Sequence, residues 1–215
     1  MTRGGSDRTY TSDVRTDQAR RTRRRVVDAA VGLFVEHGYA GTTIDAIATA
    51  AGVSRKTVFD SVGGKAQLIK LAYDFAIVGD DEPVPLMDRS VIAALNAEPD
   101  PAARIAAYTA MVVGIDVRIS PIWRVLEGAA GHDAEATALH ATLVEQRWTS
   151  MQGAARMFAA RGELRPELDA EQAAAVLWLA NDPSLFDKLV RQRGWSVERF
   201  QAWLTELTQV GLLGR

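Results

Sequence analysis

The chain has 215 residues, enough for one large domain or two small ones, and its 47% apolar and 24% charged content is ordinary for a globular fold. Cysteine is absent, which excludes disulfides, thiolate catalysis and cysteine-ligated metal. The net charge of −2 conceals a division, since residues 1–70 carry 12 Lys and Arg against 7 Asp and Glu, whereas the rest carries 13 against 20. A basic head on an acidic body is what a DNA-contacting protein shows. A solvated helix end at Arg20, Arg21, Arg23, Arg24 and Arg25 gives the same count, so charge alone does not choose.

Residues 1–16, which open MTRGGSDRTYTSD, have almost no apolar content. They lack the apolar core of a signal peptide and read as a disordered tail. From Asp17 onward Val27, Ala30, Val31 and Phe34 recur at helical spacing, and Gly38 follows as a C-cap. A short helix begins at Thr43 with Ile44, Ile47 and Ala48 on its buried side. Gly52 ends that linkage, and Ser54 caps a third helix carrying Val58 and Phe59 inward. A fourth, from about Lys65 to near Gly79, aligns Leu68, Leu71, Ala72 and Phe75. The segment GDDEPVP cannot stay helical and reads as a connector, which places a head at 17–78 and a body at 79–215.

In the body a capping residue stands directly before proline at Asp100-Pro101, Ser120-Pro121 and Asp182-Pro183. Proline at the first helical position loses no hydrogen bond, so each pair is read as a helix start. Asp169 with Gln172 makes a capping box, Ser196 opens the last helix, and a long helix runs from Asp133 to Arg161 before Gly162. MVVGIDVRIS is branched enough for a strand but has no partner strand, and is read as helix. The expected fold is all-α. The longest apolar run, Ala173 to Ala180, is too short to span a bilayer, and the chain reads as cytoplasmic, without a membrane partner.

The stretch TTIDAIATAAGVSRKTVFDSVGGK, from Thr42 to Lys65, carries the strongest functional signal. Two helices crossing steeply over a short turn need a small residue at the crossing and a glycine-tolerant turn. They also need a branched apolar residue returning into the joint. Ala48, Gly52 and Val58 stand at those places. Arg55, Lys56 and Thr57 are then left in the exposed first turn of the second helix, where a recognition helix meets base edges. A purely structural helical hairpin has the same spacing. The alternative is therefore a helical small-molecule-binding or scaffold protein whose helix-turn-helix is structural only.

RRRVVDAAVGLFVEHGYAGTTIDAIATAAGVSRKTVFDSVGGKAQLI resembles the N-terminal domain of the TetR family of one-component transcriptional repressors. The similarity covers residues 20–75, through Leu33-Phe34, Gly38-Tyr39, Thr42-Thr43, Ile47-Ala48, Ala51-Gly52-Val53-Ser54 and Gly64-Lys65. It implies DNA contacts at Thr43, Ser54, Arg55, Lys56, Thr57 and Lys65, the last on backbone phosphate. Three residues depart from the family pattern: Phe59 replaces a phosphate-bonding tyrosine, Asp60 an uncharged or basic residue, and Val62 an aromatic. The resemblance also implies a larger helical domain that dimerises and holds a small-molecule effector. The expected protein is then a homodimeric repressor on a palindromic double-stranded DNA operator, released by its effector. On that reading Met111, Trp123, Trp148 and Met151 line the effector pocket. Leu177, Trp178, Phe200, Trp203, Leu204 and Leu207 form the dimer interface. No catalytic site, metal or cofactor is expected. His37 reads as a helix-end partner and His132 and His140 as surface residues, and no nucleophile elbow, phosphate loop or dinucleotide fingerprint is present.

Overall fold

The computed structural model describes residues 6–80, 82 and 84–214, with side chains from residue 16 onward. Among these residues every regular element is helical. The chain divides into two compact units, one ending at Phe75 and the other beginning at Ala76.

The first unit holds α1 (Ser6–Gly41), α2 (Ile44–Ala51), α3 (Arg55–Ser61) and most of α4 (Lys65–Val78). The backbone of α1 is helical from Ser6, ahead of the expected start at Asp17, and residues 1–5 of the expected tail lie outside the described residues. The helix breaks at Gly38, whose φ of 72° and ψ of 174° a residue with a Cβ rarely adopts. The buried Thr42 hydroxyl closes this corner, lying 3.0 Å from the Leu33 carbonyl and 2.8 Å from that of Gly38. Val26, Val27, Ala30 and Phe34 of α1, Ile47 and Ala48 of α2, Val58 of α3 and Leu68, Ile69 and Ala72 of α4 are buried apolar residues of the unit's core. Each large aliphatic side chain buried there contributes about 1.5–3 kcal/mol. Phe59 is a correction to the sequence reading: it points outward, 44% exposed. Neighbouring helical residues diverge by about 100°, and in so short a helix Val58 takes the inward direction.

The second unit contains α5 (Ser90–Ala97), α6 (Pro101–Ala129), α7 (Ala134–Ala160), α8 (Ala170–Ala180), α9 (Pro183–Phe186) and α10 (Val197–Leu213). A π-helical stretch, Asp187–Gln192, continues from α9. Asp100, Asp133, Asp169, Asp182 and Ser196 cap the helices the sequence assigned to them, and the Asp169–Gln172 capping box forms. Ser120-Pro121 does not start a helix, because α6 runs through it. Pro121 has no N–H for the Val117 carbonyl one turn back. The Arg191 guanidinium fills that place, with Nη2 3.3 Å from the Val117 oxygen and Nε 3.2 Å from the Ser120 hydroxyl.

By length and composition α6 could cross a membrane. In the fold it is a core helix. Ile105 packs in one cluster with Met151, Ala155, Phe158, Leu177 and Leu212, and Val112 and Val113 pack in another with Phe186, Phe200 and Leu204. It also carries buried Arg104 and Asp116. Arg104 is fully used, bonding the Glu163 carboxylate and the carbonyls of Leu95 and Glu98.

Candidate nucleic-acid interface

The residues from Thr43 to Ser61 form two helices across a glycine turn, and each helix start is held by its own side chain. The Thr43 hydroxyl accepts the Ala46 N–H at 3.1 Å, and the Ser54 hydroxyl accepts that of Thr57 at 3.0 Å. Such caps contribute about 0.5–2 kcal/mol each. Gly52 sits at φ 66° and ψ 38°, and its N–H reaches the Ala48 and Thr49 carbonyls, while the Val53 N–H bonds Ala48 at 3.0 Å. Ile47, Ala48 and Val58 are buried at the crossing as the sequence reading required. Arg23, which that reading left in a general basic run, donates from Nε to the Ser61 carbonyl at 3.1 Å and so ties α1 to the end of α3.

Thr43, Ser54, Arg55 and Lys56 are exposed on this motif, and Thr57 is half-buried with its hydroxyl 2.8 Å from that of Ser54. The cations in the group are already paired. Arg55 bonds Asp45 at 2.8 Å and lies over the Phe59 ring at 5.7 Å, while Lys56 bonds Asp60 one turn on. All four charged side chains are well exposed, so each pair is worth under about 1 kcal/mol and can exchange for another partner. Asp60 is thereby neutralised by Lys56. Lys65 is placed differently from the other contacts, donating to the Tyr39 carbonyl at 2.9 Å with its ammonium 4.2 Å from that ring's centre. It locks the Gly38-Tyr39 corner first, and only its remaining N–H donors can face a phosphate. Val62 ends α3, half-buried, with its N–H on the Val58 carbonyl.

Residues 26–72 match the family model of bacterial regulatory proteins of the tetR family. The first unit carries a tetR-type domain. Its head is 40% identical over 53 residues to an uncharacterized HTH-type transcriptional regulator of Pseudomonas putida, TtgW. That match spans 25% of this chain and 40% of the relative, less than half the relative's length. Solved structures share the fold over nearly the whole chain. One, from Syntrophomonas wolfei str. Goettingen and assigned to the TetR family, aligns with a TM-score of 0.69 at 16% identity, covering 88% of this chain and 94% of that one. Another, a transcriptional regulator assignment from Saccharomonospora viridis in complex with choline, aligns with a TM-score of 0.65 at 18% identity over 90% of this chain and 98% of that one. The tetR-type head is therefore followed by a helical second unit of the same fold as those proteins.

The second unit, which follows the tetR-type head in sequence, brings three of the four expected pocket residues into one region and adds others. The Arg147 guanidinium lies between the rings of Trp123 and Trp178, 5.2 and 5.5 Å from their centres, and bonds the Trp178 and Asn181 carbonyls at 3.3 and 2.8 Å. Trp148 meets Trp178 edge to face at 6.1 Å. The Met151 sulfur receives the Tyr108 hydroxyl at 3.3 Å and the Asn181 amide at 3.6 Å. Met111 is half-buried on α6 and has no part in these contacts. His140 corrects the sequence reading, since it is half-buried with its ring 5.0 Å from that of Trp123 and its Nε2 inaccessible. His132 is exposed.

Asp116 and Arg147 went unnoticed in sequence. Asp116 is 1% exposed and neither of its oxygens has a hydrogen-bond partner among the described residues. Burial pushes its carboxyl up to about 8, with Arg147 pulling the other way and Asp182 adding to the rise. Burial likewise raises the Tyr108 phenol, with the same Asp116 reinforcing it.

Of the six expected interface residues, Leu177, Phe200 and Leu204 are wholly buried in the unit's own cores and have no surface to offer a second chain. Trp178 and Trp203 are half-buried, the first edge to face with Trp148 and the second edge to face with Trp195 and tilted against Phe200. Leu207 is exposed, together with Leu179 on α8 and Val210 on α10, neither of which the sequence reading selected. Among the described residues no group of three or more His, Asp or Glu is placed to hold a metal ion.

Proposed function

We propose that this chain is a one-component, ligand-responsive transcriptional regulator. Two copies bind a palindromic operator, each laying α3 in one major groove. Half-sites then lie about 34–36 Å apart, or a multiple of that. The observation that carries the reading is the pairing of a capped, seven-residue α3 with exposed Arg55 and Lys56 in its first turn. Arg55 is suited to a guanine edge and Lys56 to guanine or phosphate. Leu179, Leu207 and Val210 supply exposed apolar surface for a two-fold contact through α8 and α10.

Repression with release by an effector is the simplest regulatory form. A ligand that prefers one conformation of the second unit shifts the balance between head separations by no more than its differential affinity for the two states. The similar protein from Saccharomonospora viridis in complex with choline supports a small-molecule role for this fold. Fluorescence anisotropy of the purified chain on its own upstream duplex and on a shuffled duplex, at two salt concentrations, tests the reading. Selective binding that survives added salt is expected. Equal loss on both duplexes, repeated in a selection from genomic fragments, would reduce the head to phosphate attraction.

A further inference from the structure

The buried polar groups of the second unit do not balance one another. Arg147 is held in place, its guanidinium between two indole faces and its Nη2 on two carbonyls at the C-terminal end of α8, where the helix dipole is negative, while its Nε is buried without a partner among the described residues. It makes no ion pair or hydrogen bond with Asp116. The charged and titratable groups that act on the Asp116 carboxyl through space are Tyr108 on its own helix, Arg147 on α7 and Asp182 at the start of α9, and none of them donates to it. Two acceptor oxygens at 1% exposure are thus left without donors in a region walled by aromatic rings. The groups beside them are held by weak bonds. The Tyr108 hydroxyl and Asn181 amide both rest on a thioether, a poor acceptor, and Met151 is the unbranched side chain best able to move aside.

We infer that the second unit binds a small organic cation carrying at least one N–H, held by Asp116 through charge-assisted hydrogen bonds beside the Tyr108 and Arg147 side chains. The inference rests on the ligand-responsive reading given above and specifies its ligand class. An ammonium, amidinium or guanidinium supplies both the donor and the charge that the carboxylate lacks. An anion would meet Asp116 and Asp182 with only the already-bonded Arg147 to favour it, and a neutral alcohol supplies a donor but no charge. Binding displaces the proton that burial retains on Asp116, so affinity tightens about tenfold from pH 6 to 7 and by a smaller factor from 7 to 8 as the carboxyl ionises.

The test uses the full chain and its Asp116→Asn variant, read by tryptophan emission and thermal shift. The probes are butyl-, hexyl-, octyl- and benzylammonium, each beside its size-matched alcohol and carboxylate. At least one ammonium should bind tenfold or more tightly than its two counterparts at pH 8. In Asp116→Asn that preference should vanish while the alcohol's affinity stays the same. Equal binding of the matched probes, no binding of any ammonium, or a preference that survives in the variant would overturn the inference. Operator selectivity measured on the same preparations separates the two readings. Selective DNA binding without cation preference defeats only the ligand class, whereas cation preference without DNA selectivity defeats the regulator and leaves a helical binding protein.

Discussion

Asparagine in place of Asp116 keeps the shape of the side chain and removes its ability to ionise, which gives the fold a pH dependence that can be worked through. The carboxyl is pushed from 3.8 to about 8 by burial, so in the folded chain it holds its proton more tightly than in the unfolded one. The sign follows from linkage: its contribution is complete below about pH 4 and is lost as pH rises toward 8. Each intervening unit costs about 1.4 kcal/mol, so the native chain gives up on the order of 4 kcal/mol between pH 4 and 7 from this one group. That is an upper figure, because interior relaxation screens buried charge. The asparagine amide also lacks partners and carries a cost of about 1–3 kcal/mol, but that cost is the same at every pH.

Asp116→Asn is therefore expected to be no more stable than the native chain at pH 5 and more stable by about 2–3 kcal/mol at pH 8. Urea unfolding followed by tryptophan emission measures this directly. All five tryptophans lie beyond residue 120, so the signal reports the second unit even where the two units melt separately. Tyr108, Arg147 and Asp182 act on Asp116 electrostatically and are unchanged in the variant. A native-to-variant difference that stays flat from pH 5 to 8 would refute the account of Asp116 as a carboxyl without a donor.

Lys56→Ala should weaken operator binding and lower the salt slope by about 1 if the side chain meets phosphate, with no change in melting temperature, as read by anisotropy over a salt series. Ser54→Ala removes the α3 cap and should cost about 1 kcal/mol, visible as faster amide exchange at Thr57 and Val58 with the second unit unaffected. Gly211→Ala would put a Cβ 2.7 Å from Val176 Cγ1, where α10 crosses α8, and should lower the stability of the second unit by about 1–3 kcal/mol in the same urea assay. Arg147→Met leaves the Trp178 and Asn181 carbonyls without that donor and should destabilise the second unit by about 2 kcal/mol or more while shifting tryptophan emission.

What could be read from sequence was what is decided within a few residues. Asp100, Asp133, Asp169, Asp182 and Ser196 cap helices because the capping oxygen and the N–H it receives lie two or three positions apart. Ser120-Pro121 obeys the same local rule and fails it, because the donor that lets α6 continue is Arg191, 74 residues from Val117. Periodicity marked Leu177, Phe200 and Leu204 as apolar stripes but could not say whether the neighbour was another helix of the same chain or a second copy. For the first unit the local and global signals agree, which is why Ala48, Gly52 and Val58 lie where the spacing required. The polar interior of the second unit had only one trace in the sequence, an aspartate within the branched run MVVGIDVRIS. A charged residue in such a run has to be either turned to solvent or buried, and only the packing of α6 against α7 and α9 decides which.

The same long-range dependence bears on Asp60, which by family pattern looks unfavourable beside DNA. In the fold it is the acceptor of Lys56, and Asp45 is the acceptor of Arg55, so both first-turn cations of α3 carry an intramolecular counter-charge. On the proposed reading this arrangement acts unequally on the two kinds of DNA binding. Non-specific binding depends on uncompensated positive charge near phosphates, and pairing lowers it. Specific binding replaces each exposed pair, worth under about 1 kcal/mol, with a contact to a base edge worth about 1–3 kcal/mol. Breaking an exposed pair therefore costs no more than a correct base returns. If Arg55 and Lys56 are the reading side chains, the carboxylates at 45 and 60 weaken attraction to bare phosphate more than binding to a matching sequence. Asp60→Asn should then raise affinity for a shuffled duplex more than for the operator in the anisotropy assay.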